Sequence, residues 1–345
     1  MAKMFFLLSG EHSTLPVSEL KAILEAEGHE YKVSGTFRQI AQIEAKIESV
    51  KSIVRRAALT RVCCIELIST QAVSAEIFER IRSTSFEKLI NKGETFAVRV
   101  KKVGESAAKI ESASLERKIG AIIIGNTEGS KVKLKNPNLT FFGVFTEDKF
   151  FFGLKVAEIN PKPFVERRPR KRPFFHPSAM QAKLARCMVN LAQPKAGDII
   201  IDPFCGTASI LIEAGLIGCR VVGFDVQKRM VRGSLLNLSY YGVNPEGVIR
   251  ADALSLPVEE VDCIVTDPPY GRSATTLGRR IGEIVKDFLS TAIGHIPREK
   301  RICVAAPSSV EIGKLGKEVG FKRVECYSVY VHRSLTREIA VLERV

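Results

Sequence analysis

The chain has no tryptophan and is short of acid: 38 Asp and Glu stand against 52 Lys and Arg, a formal net charge of +14. The missing tryptophan excludes nothing, but the shortage of acid points to a polyanionic partner. None of the eight cysteines (Cys63, Cys64, Cys187, Cys205, Cys219, Cys263, Cys303 and Cys326) forms a C-x-x-C pair. Zinc and dithiol sites of that spacing are therefore excluded, and thiols set in apolar runs act as small hydrophobes. Buried, reduced thiols, no metal and a cytoplasmic protein are expected. No apolar run approaches the about 18 residues of a membrane helix. Only five apolar residues follow Lys3 before the sequence turns polar, too few for a signal-peptide core. Neither membrane nor export is expected, and no internal repeat or low-complexity tract is evident.

What is present is ample material for buried cores: 345 residues, 45% of them hydrophobic, which predicts two or three domains. Up to about residue 49 the chain reads as a small α+β unit, with a strand at "FFLLS", a helix near Val17 to Glu27 and strand material around "FRQIAQIEA". A second α+β unit follows over 50–158, where "LTFFGVFT" and "KFFFGLKV" flank Glu147 and Asp148 as a hairpin would. Residues 159–177 carry five prolines among a burst of Arg and Lys, which predicts an extended basic connector. From 178 to 345 near-continuous apolar strands alternate with helices, the pattern of a parallel sheet covered on both faces. Two final strands without an intervening helix predict a closing antiparallel hairpin.

The chemistry is concentrated at strand ends. "IDPFCGTAS" joins a strand to a helix, with Gly206 permitting close backbone approach to a ligand and Thr207 and Ala208 too small to obstruct it. The next strand ends in Asp225, 23 residues after Asp202, a spacing that suits a carboxylate accepting from two ribose hydroxyls. The third ends in Asp252, beside Ala253, where an acceptor meets an exocyclic adenine amine. NAD and S-adenosylmethionine both fit so far. The loop lacks the G-x-G-x-x-G order that cradles a pyrophosphate. The fourth strand decides between them, because "TDPPYG" offers a carboxylate, fixed carbonyls and an aromatic ring, the parts needed to hold a planar amine. Asp267 and the Pro268 carbonyl accept the amine protons, Pro269 stiffens the turn, and Tyr270 stacks on the base, a contact worth roughly 1–3 kcal/mol.

"DPFCGTA", "GFD", "RADA" and "DPPYG" resemble the motifs of class I S-adenosylmethionine-dependent methyltransferases that act on amines. The resemblance implies a Rossmann-like fold and cofactor contacts from Asp202, Pro203, Phe204, Gly206, Thr207, Ala208, Asp225, Val226, Asp252, Ala253 and Asp267. Upstream, "FFHPSAMQAKLA" is similar to a motif that precedes the first strand, which implies that His176, Pro177, Ser178 and Met180 line the methionine end. Ala208 stands where such loops commonly have glycine. "FAVRVKKVG", "LERKIGAIII", "VKLKNPNLTFFGVF" and "FFFGLKVAEI" are similar to a THUMP domain, preceded by a ferredoxin-like unit.

With the tail "VYVHRSLTREIAVLE", the whole chain looks most like the archaeal tRNA guanine-10 N2-dimethyltransferase family. That resemblance implies an enzyme forming N2-methyl- and N2,N2-dimethylguanosine in tRNA, and a monomer is expected. RNA contacts are expected from Lys101, Lys102, Lys133, Arg167, Arg168, Arg170, Lys171, Arg172 and Arg272. Three other readings compete with it: a related THUMP enzyme acting on tRNA guanine 6 or ribosomal RNA, a non-catalytic RNA-binding protein with a methyltransferase-like shell, and a nicotinamide oxidoreductase.

Overall fold

The computed structural model describes residues 1–104, 111–270 and 279–345. They form two compact units, one of Met1–Val17, His29–Val54 and Thr60–Asn160, the other of Ser18–Gly28, Arg55–Leu59 and Pro161–Val345.

The first unit contains β1 (Ala2–Leu8), β2 (Tyr31–Phe37), β3 (Ile40–Ala45), β4 (Thr60–Gln71), β5 (Thr95–Val103), β6 (Lys131–Val132), β7 (Leu139–Thr146) and β8 (Lys149–Glu158). All eight lie in one sheet, in the order β2-β3-β1-β4-β8-β7-β5-β6. The boundary expected near residue 49 is thus not a sheet boundary, because β4 pairs with β1 on one side and with β8 on the other. Strand β8 shows why so apolar a stretch sits in the middle. Phe150, Phe151 and Phe152 are all fully buried, and the period of two splits them between faces. Phe150 and Phe152 pack with Phe86, Phe96 and Phe141, beneath α3 (Ser74–Arg82) and α4 (Ser112–Gly125), while Phe151 joins Phe5, Leu7 and Val144 on the other face. The expected hairpin is present, with Thr146 opposite Lys149 and Glu147 at φ 51°.

Helices α1 (Leu15–Ala26) and α2 (Ser49–Arg56) end in residues of the second unit. Within that unit follow α5 (Lys162–Glu166), α6 (Ala182–Leu191), β9 (Ile199–Asp202), α7 (Ser209–Gly215), β10 (Arg220–Asp225), α8 (Lys228–Tyr240), β11 (Gly247–Arg250), β12 (Cys263–Thr266), α9 (Ile281–Ala292), β13 (Arg301–Pro307), α10 (Ile312–Glu318), β14 (Phe321–His332) and β15 (Leu335–Arg344). The sheet order is β11-β10-β9-β12-β13-β15-β14, with the first five strands parallel and β15 antiparallel to both of its neighbours. This is the expected doubly wound sheet closed by a hairpin. Its apolar strands are covered on both faces, as Ile201, Ile264, Ile302 and Val304 show by packing with Val285, Phe288 and Leu289 of α9.

The segment expected to be an extended connector is folded instead. It holds α5 and a short 3-10 turn at Pro169–Lys171, and Phe164, Pro169 and Arg172 are buried. The anchor is Glu213 of α7, fully buried and ion-paired with Arg167 at 2.6 Å and Arg186 at 2.8 Å. Phe164 completes the cluster, with the Arg167 and Arg186 guanidinium carbons 4.7 and 5.7 Å from its ring centroid. The Arg-rich run therefore spends its first and last members on structure. Seven cysteines are buried, whereas Cys326 on β14 is exposed, contrary to the reading of the thiols as buried. No helix of the described residues is long and apolar enough to cross a membrane, and those residues hold no cluster of three metal-ligating side chains.

Candidate active site

Because β9 to β12 run parallel, their carboxyl ends share one edge, which gathers Asp202, Asp225, Asp252 and Asp267 although 65 residues separate the first from the last. Asp225 is half-buried, and its two oxygens accept backbone N–H groups, Oδ2 from Gly206 at 3.1 Å and Oδ1 from Gln227 at 2.8 Å. Burial pushes its carboxyl up, and those N–H groups and His176 pull it back down. His176, placed near the cofactor from sequence, therefore stands within electrostatic reach of Asp225, and its Nδ1 shares a 2.7 Å hydrogen bond with Ser178. Pro177 is exposed and Met180 is buried. Asp252 is exposed, with Oδ1 accepting the Leu254 N–H at 3.0 Å, while Ala253 lies in the core. Val226 is half-buried, and its carbonyl accepts from Arg250 at 3.0 Å.

The loop between β9 and α7 turns through two left-handed residues, Gly206 at φ 52° and Ala208 at φ 63°. Ala208 thus holds a conformation that favours glycine, at a cost of roughly 1–2 kcal/mol. Pro203 and Thr207 are buried, and Phe204 packs edge-on against Phe288 with ring centroids 5.6 Å apart. One face of α8 braces this loop. Arg229, Gly233 and Asn237 recur every fourth residue, and Phe174 lies so close to Gly233 that an added Cβ would come within 2.0 Å of its ring. Asn237 binds Phe174 through N–H and carbonyl, each at 2.9 Å, and donates to the Thr207 carbonyl at 3.0 Å. The segment carrying His176 is thereby tied to the loop carrying Gly206.

Asp202 stands apart from the other strand-end acids. It is 2% exposed, and its Oδ1 accepts the Thr266 hydroxyl at 2.7 Å and the Phe204 N–H at 3.1 Å. It braces β9 against β12. Burial pushes its carboxyl from the ordinary 3.8 up to about 7, opposed by those two hydrogen bonds and reinforced by Asp267 and Asp225. A carboxyl raised in this way favours folding fully only below its unfolded value and loses that contribution as pH rises through the folded one. Asp202→Asn keeps the acceptor and removes the charge. Wild type is therefore expected to lose stability relative to Asp202→Asn between about pH 4 and pH 8, by on the order of 2–4 kcal/mol. Urea midpoints at the two ends measure this, and a pH-independent gap contradicts it.

At the end of β12, Asp267 is coupled to two partners. Oδ1 accepts the Tyr270 hydroxyl proton and Oδ2 pairs with Arg337 at 3.1 Å, while Arg337 Nε donates to the Tyr270 oxygen at 2.8 Å. Burial pushes Asp267 up, with Arg337 and the Tyr270 hydroxyl pulling it down. Pro268 is buried and Pro269 half-buried. Sequence reasoning missed Arg337. The signal available was one basic residue entering the apolar run "IAVLE", and only the antiparallel register, which pairs Arg337 with Pro307, carries it to the working edge.

The basic residues divide. Arg167 is bound to Glu213, and Arg172 is 5% exposed with hydrogen bonds to Ser209 Oγ at 2.5 Å and the Arg167 carbonyl at 3.1 Å, so both leave the RNA-contact set. Lys171 pairs with Glu166 at 2.9 Å. Lys101, Lys102, Lys133, Arg168 and Arg170 are exposed. Arg272 lies outside the described residues.

Residues 169–338 match the RMKL-like methyltransferase domain, and residues 72–155 match the THUMP domain. The chain is 42% identical to the tRNA (guanine(10)-N2)-dimethyltransferase of Methanothermobacter thermautotrophicus, over 99% of this chain and 100% of that protein. The chain belongs to the tRNA (guanine(10)-N2)-dimethyltransferase family. Members of this family are methyltransferases, and so is this chain, with S-adenosylmethionine as its cofactor. Solved structures that share the fold include two that align over nearly the whole chain. TrmN from Thermus thermophilus aligns with TM-score 0.56 at 20% identity, covering 99% of this chain and 100% of that one. SMU.472, solved in complex with SAH, aligns with TM-score 0.55 at 13% identity, covering 100% and 99%.

The residues present fit the cofactor of a dimethyltransferase of this family. Each Asp225 oxygen keeps a lone pair beyond the one its backbone N–H uses, enough for two vicinal hydroxyls. Asp252 offers an exposed acceptor one strand away. The left-handed turns at Gly206 and Ala208 leave the main chain open to close approach, since a Cβ built on Gly206 meets nothing nearer than 3.8 Å.

Proposed function

We propose that the chain methylates the exocyclic N2 amine of guanine 10 in tRNA, first to N2-methyl- and then to N2,N2-dimethylguanosine. The observation that carries this reading is the Asp267 carboxylate at the end of a buried parallel strand, held by Tyr270 and Arg337 beside the fixed Pro268 backbone. Asp225 takes the ribose hydroxyls, Asp252 and Ala253 meet the adenine edge, and His176, Pro177, Ser178 and Met180 line the methionine end. Bound there, S-adenosylmethionine supplies an electrophilic methyl group. The guanine leaves its stack to enter the site, at a cost of a few kcal/mol. Asp267 and the Pro268 carbonyl accept the two amine protons, which turns the nitrogen lone pair toward the methyl group. Tyr270 offers the base a ring face. The nitrogen loses a proton after transfer, so no strong base is needed.

Lys101, Lys102, Lys133, Arg168 and Arg170 are proposed to contact the tRNA backbone, supported by their exposure and by the net charge of +14. The reading includes a monomer working in the cytoplasm, in keeping with eight unpaired thiols. A tRNA transcript carrying adenine at position 10 tests the target. Methyl incorporation is expected with guanine and absent with adenine, and equal incorporation redirects the reading to guanine 6 or ribosomal RNA.

A further inference from the structure

Arg337, Asp267 and Tyr270 form a closed ring of hydrogen bonds. Arg337 Nη2 donates to Asp267 Oδ2 at 3.1 Å, Nε donates to the Tyr270 oxygen at 2.8 Å, and the Tyr270 hydroxyl donates to Asp267 Oδ1. With its oxygen accepting from Arg337, the phenol has its own proton committed to Asp267. The guanidinium carbon also lies 5.4 Å from the Tyr270 ring centroid, which fixes the ring as well as its hydroxyl. Arg337 is 8% exposed, so this is a desolvated contact and not a loose surface pair. Its two functional donors differ, one for each partner, a geometry lysine cannot reproduce.

We propose that Arg337 is a positioning residue for the methyl acceptor: it joins Asp267 and Tyr270 into one unit and keeps the Asp267 carboxylate able to accept amine protons. The proposal rests on the reading of Asp267 as the amine-binding acid. The groups that bear on the charge of Asp267 are Tyr270 from its own loop and Arg337 from β15, and Asp267 in turn raises the carboxyl of Asp202 on β9. Burial opposes ionisation, and Arg337 is the cation that favours it, with the Tyr270 hydroxyl assisting. Without Arg337 the acid holds its proton to higher pH, and a protonated Asp267 presents a donor where the amine needs an acceptor.

Arg337→Gln is expected to move the acid limb of kcat/KM up by about 1–3 pH units, since an adjacent Arg lowers a carboxyl by that amount. Near neutral pH this appears as a loss of about 10- to 100-fold that recovers as pH is raised, with KM for tRNA little changed. Arg337→Lys is expected to restore the pH profile but not the full rate. An unmoved acid limb with a lower melting temperature assigns Arg337 a purely structural role and overturns the proposal. A raised KM for tRNA with an unmoved limb, the mark of direct contact with the base, overturns it too.

A readout independent of transfer uses melting temperatures of Arg337→Gln, Asp267→Asn and the double variant. The double variant is expected to melt higher than the sum of the single losses predicts, because removing both charges leaves neither one buried alone. Strict additivity overturns the coupling. If wild type forms no methylguanosine, the acceptor reading fails by itself, while the melting cycle still decides whether Arg337 and Asp267 act as a unit.

Discussion

Asp267→Ala is expected to lower kcat for tRNA methylation by about 10²–10⁴-fold, the range seen when one preorganised group aimed at the reacting atom is removed. The nucleobase amine is a poor nucleophile because its lone pair is shared with the ring. Its reactivity depends on acceptors that take its protons and turn the lone pair outward. Asp267 is the charged one of the two acceptors proposed, and the Pro268 carbonyl alone cannot fix both N–H directions. KM for tRNA should change little, because phosphate contacts remote from the site supply most of the affinity. Binding of S-adenosylhomocysteine, followed by calorimetry, should fall by less than about tenfold, because Asp225 and Asp252 are left in place. Normal turnover in this variant would remove Asp267 from the mechanism.

The second large effect concerns stability. Glu19, fully buried, accepts from Asn190 Nδ2 at 2.9 Å and from the backbone N–H groups of Ala58 and Leu59 at 3.0 and 2.8 Å. Arg56, 1% exposed, donates to Asn190 Oδ1 at 3.2 Å and to the Pro194 carbonyl at 2.9 Å, and pairs with Glu27 at 2.8 Å. Glu19, Glu27, Arg56, Ala58 and Leu59 lie in the methyltransferase unit although they come from the first sixty positions of the chain. Glu19→Ala leaves three buried donors unmet and is expected to cost about 3–5 kcal/mol. For a unit of this size that lowers the melting temperature by on the order of 10 °C. A fragment beginning at Pro161 loses Glu19 and Arg56 together. It is expected to lack a cooperative melt and to fail to bind S-adenosylhomocysteine. The sequence, read as successive domains, predicts the opposite, an autonomous C-terminal half. A cooperative melt with unchanged cofactor affinity would support that simpler division.

The methyltransferase sheet was legible because its information is local. A strand that is apolar almost throughout and ends in an acid announces its burial and its carboxyl end, as the strands before Asp202 and Asp225 do. Long-range pairing was not legible in the same way. That β4 joins β1 to β8, and that Arg337 lies opposite Pro307, are facts of register that no window of the sequence contains. The Arg-rich run was misread for a related reason. Arg167 and Arg172 look like a solvated charge cluster until α7 brings Glu213, 46 residues after Arg167, to the first and Ser209 to the second. Asp202 carries a further long-range contact of this kind, since the Thr266 hydroxyl that binds its carboxylate comes from 64 residues away.

Mass spectrometry of the nucleosides from a tRNA incubated with the enzyme and methyl-labelled S-adenosylmethionine tests the central claim most directly, because base, position and methyl number are read together. The account predicts label in N2-methyl- and N2,N2-dimethylguanosine, confined to the oligonucleotide that contains position 10. Label on another base, on a guanine elsewhere in the tRNA, or on none would contradict it.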